Sequence, residues 1–202
     1  RGGTRGDPRR ARAARCRAGT TMRPPSRVQR SPFAASPTAA ALECAPMSAA
    51  TRGEALALLR TFLAADAHYR ASAAAYGDGG SAALERALDL FLARPGIGFV
   101  WLARAITGTA RVAVGACVVC RAISTSRGAL VAKLDDVTVH PEWQGRGVGG
   151  RMLADLATFL RREGMTRIDC GCHRANAGAW RFYERLGFRP LDEERLALLL
   201  SV

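Results

Sequence analysis

Two adjacent carboxylates, Asp135 and Asp136, stand at the head of a β-branched run that ends at Pro141. Gly145, Gly147, Gly149 and Gly150 follow, and an apolar-periodic helix begins among them. Extended run, glycine loop and helix N-terminus together make a holder for phosphate. Glycines let the backbone approach closely, the first helical N–H groups are unpaired, and the helix dipole favours negative charge there. Arg146 and Arg151 add two cations at its mouth. An ordinary tight strand-to-helix turn has the same outline. In a regular strand Asp135 and Asp136 point to opposite faces, so only one can look into a cleft unless a bulge intervenes.

A second constellation lies further on, Asn176-Ala177-Gly178-Ala179-Trp180-Arg181-Phe182-Tyr183-Glu184-Arg185-Leu186-Gly187-Phe188. The spacing Gln144-x-x-Gly147-x-Gly149 resembles the pyrophosphate loop of the GNAT superfamily, the acetyl-CoA-dependent N-acetyltransferases. The second constellation resembles that superfamily's last helix, in which Asn, a small residue, Tyr and Gly-Phe recur. The resemblance is specific over residues 130–190 and general over residues 50–126. It implies an α/β protein with the GNAT fold: a mixed central sheet whose strands splay around the cofactor, flanked by helices. It further implies acetyl-CoA as co-substrate. Backbone groups of Val137, Thr138 and Val139 would pair with pantetheine, a small-molecule version of adding a strand. Gln144, Gly145, Arg146, Gly147, Val148, Gly149, Gly150 and Arg151 would cradle pyrophosphate, and Asn176 and Tyr183 would complete the cofactor site.

Acetyl transfer to an amine needs a deprotonated nucleophile, a polarised thioester carbonyl and a proton for the departing thiolate. Tyr183 fits the last need as a phenol neutral at pH 7, and its position matches the family's general-acid Tyr. A core aromatic at helical spacing is the bland alternative. Leu134-Asp135-Asp136 resembles the Leu-Glu-Asp of polyamine-type acetyltransferases, whose first acid is assigned as base, and this points to Asp135. An ordinary Asp is a poor direct base for an alkylammonium, so a raised pKa or a relay water is required. Either Asp has the simpler option of attracting a cation. His140 and His173 are fallback bases, both where turns are expected. The expected acceptor is the amine of a small molecule or peptide. The competing class is a GNAT-fold protein that binds acyl-CoA as a sensor or scaffold without turnover.

The formal charge of +13 suggests nucleic acid until it is divided along the chain. Ten arginines precede Met47 against only Asp7 and Glu43, leaving 20 basic and 15 acidic groups over residues 47–202, a net of +5. No nucleic-acid partner is expected. Residues 1–46 are rich in Arg, Pro, Ala and Ser and poor in large apolar residues, the composition of a disordered extension. Met47-Ser48-Ala49-Ala50 has the form of a translation start. An upstream extension foreign to the domain is favoured over an organellar transit peptide. The expected division is therefore 1–46 as extension and 47–202 as the acetyltransferase domain, which should survive removal of the extension. No apolar run is long enough to span a membrane. A cytoplasmic location is the default, and a homodimer is allowed.

Cys117-x-x-Cys120 and Cys170-x-Cys172 invite a metal reading. Both pairs sit in strand-like runs, where residues three apart face opposite ways, so small buried hydrophobes are the better account and no metal is expected. Cys16 and Cys44 fall in the extension.

The elements that must position these groups follow from periodicity. Leu56, Leu59, Phe62 and Leu63 predict one helix over residues 52–69. Residues 76–80 make a break, and Ser81 is expected to cap a second helix carrying Leu84, Leu88 and Phe91. These helices should border the acceptor side, which places His68, Tyr69 and Tyr76 within reach of substrate. Strands are expected over 97–103, 112–120, 129–140 and 166–172, with Gly115 marking a bulge or close approach. The loop helix presents Val148, Met152, Leu156, Phe159 and Leu160 and stops at Gly164. Asn176 caps the last helix, and residues 195–202 should form a terminal strand.

Overall fold

The computed structural model describes residues 41–77 and 79–191, the side chains of 72–76 aside. Among the described residues the strands and α-helices follow one another as β1 (Leu42–Pro46), α1 (Arg52–Ala65), α2 (Ala67–Tyr76), α3 (Gly80–Ala93), β2 (Gly98–Thr107), β3 (Ala110–Ser124), β4 (Ala129–Val139), α4 (Val148–Arg162), β5 (Ile168–Cys170) and α5 (Ala177–Arg185). The strands form one mixed sheet in chain order. β1 to β4 are antiparallel neighbours, and β5 lies parallel to β4. A parallel return needs a crossover, which α4 supplies.

Strand alternation sorts the core onto two faces. Phe99, Trp101, Cys117, Val119, Ala132 and Leu134 meet Met152, Leu153, Leu156 and Leu160 of α4 on one face. Val100, Leu102, Ala116 and Val118 meet Ala55, Leu58 and Leu59 of α1 and Leu88 of α3 on the other. β2 is therefore apolar from Phe99 to Ala103 because both its faces are covered there. Cys117 is buried in the first cluster, while Cys120 packs against the second. Three-residue spacing in a strand has separated the two thiols, as the periodicity requires.

Three expectations need correction. The helix read over 52–69 is two helices, broken at Asp66, whose ψ of 111° leaves the helical region. Asp66 Oδ1 accepts the Tyr69 N–H at 2.6 Å and so starts α2. The next helix begins at Gly80 after an N-cap at Gly79, two residues earlier than a Ser81 cap allows. Its start is set by the positive φ of Gly80 (63°) rather than by a capping hydroxyl.

The third correction concerns the extension. Leu42–Pro46 lies inside residues 1–46 yet pairs with β2, Leu42 opposite Ala105 and Pro46 opposite Trp101. Glu43 accepts hydrogen bonds from Arg104 and Arg111, and Cys44 packs on the α4 side of the core. The folded part thus starts before Met47. The strand expected over 166–172 is reduced to Ile168–Cys170. The terminal strand expected over 195–202, and Cys16, lie outside the described residues.

Candidate active site

The site is built where β4 loses its partner on one side. β5 pairs with Ala132, Lys133 and Leu134 only, while β4 runs on to Val139. Beyond Leu134 no strand among the described residues pairs with the β5-facing edge of β4.

On the other edge, β4 is irregular against β3. Ala116 pairs with Thr138 and Val118 with Asp135, so Asp136 and Val137 together face Cys117. This is a β-bulge, and Asp136 takes the left-handed φ of 49°. Opposite it, a Cβ on Gly115 would stand 3.1 Å from Met152 Sδ and 3.3 Å from the Thr138 carbonyl, so glycine is required there by close approach. The bulge lifts the alternation that would set Asp135 and Asp136 on opposite faces. Both charges act on Cys120 and on their surroundings together, and Asp66 also acts on Asp136. Burial first, then Asp135 and Asp66, push the Asp136 carboxyl up to about 6.

β4 then enters a single 3-10 turn, Pro141–Trp143, and the glycine loop. Gly145 and Gly147 have φ of 71° and 79°, and Gly147 is the N-cap of α4 with no side chain closing the cap. A Cβ at either would meet nothing within 4 Å, so glycine serves conformation and leaves open space outside the loop. Gly149 differs: a Cβ there would stand 3.2 Å from Phe182 and 3.4 Å from Val139. Gly150 faces Leu186 at 3.8 Å. These two glycines bring α4 and α5 together. Arg146 lies over the Trp143 ring at 5.6 Å, and Arg151 leans on Asp155 at 3.6 Å. Gln144 Nε2 donates to the Val139 carbonyl at 2.9 Å, tying the loop to the strand.

A cleft of about 260 Å³ opens between the last turns of α1 and the end of β4. Thr61, Phe62 and Asp66 form one wall, and Val137, Thr138, Val139, His140 and Gln144 the other. His140 Nδ1 is buried with no hydrogen-bond partner among the described residues and lies 4.0 Å from Glu142. Asp66 and Thr61 were not singled out from sequence. The available signal was the helix-starting Asp66-x-x-Tyr69, hidden in a run that continues at helical spacing.

Asn176 caps α5 by accepting the Ala179 N–H at 3.0 Å. That fixes the register that turns Tyr183 onto the core, between Phe182 and Phe188 at 5.2 and 5.3 Å. Burial above all, with Cys170, Cys172, Cys117 and Asp135 nearby, raises the Tyr183 phenol well above the usual tyrosine range. It stays protonated. Tyr183 thus feels Asp135, as does the carboxyl of Asp136 at the bulge. His173 stacks on His68 in the loop after β5. Tyr69 contributes its N–H to Asp66, and the side chain of Tyr76 lies outside the described residues.

The family model described as the acetyltransferase (GNAT) family matches residues 81–188, and the chain belongs to that family. An uncharacterized N-acetyltransferase of Methanocaldococcus jannaschii is 30% identical over 73 residues, 36% of this chain and 32% of that protein. Glucosamine 6-phosphate N-acetyltransferase of Trypanosoma brucei brucei is 30% identical over 70 residues, 35% of this chain and 46% of that one. The matched stretch thus spans less than half of either relative. Among solved structures, a Trypanosoma brucei acetyltransferase superposes with a TM-score of 0.56 at 22% identity, covering 79% of this chain and all of that one. A probable acetyltransferase superposes with a TM-score of 0.62 at 18% identity, covering 79% and 99%. At those identities the structures establish the GNAT fold alone. No helix among the described residues is long and apolar enough to cross a membrane.

Proposed function

We propose that this protein moves an acetyl group from acetyl-CoA directly to the amine of a small molecule or peptide. The observation that carries the reading is the bulge at Asp136, set beside the parting of β4 and β5, with the neighbouring Asp135 acting both on Asp136 and on Tyr183. The chain fits acetyl-CoA at two points. The open, left-handed glycines at the α4 N-terminus suit pyrophosphate, and the edge of β4 beyond β5, which no strand among the described residues covers, suits the amide groups of pantetheine. The Val139 carbonyl is already engaged by Gln144, so pantetheine pairing falls to Val137 and the remaining edge groups. Acetyl-CoA supplies the activated thioester.

The protein's part is to position and to move protons. The cleft holds the amine against the thioester, and Asp136 accepts the proton that nitrogen sheds on attack, directly or through a water. Asp135, the base that the family resemblance points to, supports this by raising Asp136. Tyr183 gives its proton to the departing sulfur and is reprotonated from solvent. Burial weakens Tyr183 as an acid, but a thiolate in the same apolar surroundings is correspondingly more basic. A cytoplasmic setting belongs to this reading.

Thiol release from acetyl-CoA across a panel of amines, amino acids and peptides tests it. Turnover with any of them is the expected result. Tight acetyl-CoA binding with no turnover across the panel would leave the sensor or scaffold in its place.

A further inference from the structure

The imidazoles of His68 and His173 stack with ring centroids 4.7 Å apart and planes inclined by 22°. One ring stands on α2 and the other in the loop after β5. His68 is in the first turn of α2, two residues past Asp66, which lines the cleft and acts on Asp136. His173 follows β5, one residue past Cys172, which acts on Tyr183. The stack therefore joins the base side of the site to its acid side.

The two rings are not equally held. His173 Nδ1 accepts the Ala175 N–H at 3.2 Å, and its carbonyl accepts the Trp180 indole N–H at 3.2 Å and the Asn176 N–H at 2.9 Å. It is fastened to the start of α5 and cannot swing without disturbing the helix that carries Tyr183. His68 rides on α2, which follows the helix break at Asp66. Parting the stack requires only that α2 pivot about Asp66.

We propose that the His68–His173 pair is the rim of the acceptor entrance and sets the size of amine admitted. An amine at the end of a slim, unbranched arm passes beneath the rings. One carried on a bulky body does not. This rests on the acetyl-transfer reading and narrows its acceptor class.

The test compares a linear alkylamine with adamantylmethylamine, two primary amines whose nucleophilic ends match and whose bodies differ in girth. In His68→Ala, kcat/KM for the bulky amine should rise about tenfold or more, while that for the linear amine moves less than about threefold. His68→Phe keeps a ring on His173 and should retain wild-type selectivity. Nuclear Overhauser contacts between the two imidazoles should be seen in the free wild-type protein, a readout that needs no turnover. Equal shifts for both amines in His68→Ala, or absence of those ring contacts, would overturn the rim while acetyl-CoA binding stays intact. A wild-type protein that binds no acetyl-CoA would instead overturn the acetyl-transfer reading, and this inference with it.

Discussion

Gln144 donates its side-chain amide to the Val139 carbonyl at 2.9 Å, so the phosphate loop is tied to the last residue of the strand that feeds it. On the proposed placement of acetyl-CoA, the bond crosses the corner where pantetheine would turn into pyrophosphate. Gln144→Ala loosens that corner, and loss of one hydrogen bond of this kind is worth about 1 kcal/mol. Acetyl-CoA affinity should fall roughly fivefold with little change in melting temperature. Calorimetric titration checks this, and unchanged affinity would make the tie incidental.

The glycines of the loop should separate into two kinds. Gly147→Ala forces a left-handed φ on an L residue, a strain of about 1–2 kcal/mol at the helix N-terminus, and should weaken acetyl-CoA binding. Gly149→Ala presses on Phe182 and should lower stability by loosening α5 from α4. Phe182→Leu should relieve Gly149→Ala and leave Gly147→Ala unrelieved. Denaturation and binding of the single and double variants would show whether the two effects are distinct.

Asp136, as the proposed proton acceptor, should govern the acidic side of the pH profile. With a carboxyl near 6 it is a competent proton acceptor above that pH, and kcat should decline as pH falls through it. Asp136→Asn should remove that limb together with most activity, whereas Asp135→Asn should move the limb to lower pH by withdrawing a neighbouring charge. A limb that survives in Asp136→Asn belongs to another group.

The same carboxyl has a stability signature of the opposite sign to a salt-bridged Asp. Its folded pKa lies above the unfolded 3.8, so between about 4 and 6 the folded state binds the extra proton and stability falls as pH rises. Asp136→Asn should therefore stabilise the protein at pH 7 to 8, on the order of 2 kcal/mol, and the gain should vanish below about pH 4. Thermal melts at both pH values decide it.

Tyr183→Phe keeps the ring between Phe182 and Phe188 and removes only the hydroxyl. If the phenol protonates the leaving thiolate, kcat should drop by roughly 10²-fold or more with acetyl-CoA affinity nearly unchanged. Wild-type turnover would reduce Tyr183 to packing.

A chain starting at Met47 should melt several degrees below one starting at Ala41, roughly the effect of losing one or two kcal/mol in a domain of this size. The shorter chain lacks β1, bares the β2 backbone and strips Arg104 and Arg111 of Glu43. Equal melting temperatures would show that β1 is dispensable.

What was legible in the sequence was local. The glycine loop, the Asn176 cap and the Tyr183 helix each depend on residues within a few positions, and each stands where its pattern placed it. The bulge was legible only as a condition, because its presence depends on the register of β4 against β3 rather than on Asp135 and Asp136 themselves. Gly149 and Gly150 match a phosphate motif as well as they match helix packing, and only the position of Phe182 and Leu186 separates the two. The break at Asp66 hides because Ala, His, Tyr and Arg continue at helical spacing beyond it. β1 hides for another reason: five residues ending in proline carry no usable alternation, and it is β2 that makes them a strand.

The burial of the cysteines has a practical corollary at the bench. Cys44 and Cys170 are held at about 12 by burial, Cys117 lies higher still, and Cys120 and Cys172 are raised in the same direction. At pH 8 a thiol of that kind is ionised to about one part in 10⁴, too little to compete for an electrophilic dye. Colour developed with a thiol reagent during turnover thus counts departing CoA against a quiet background from Cys44, Cys117 and Cys170.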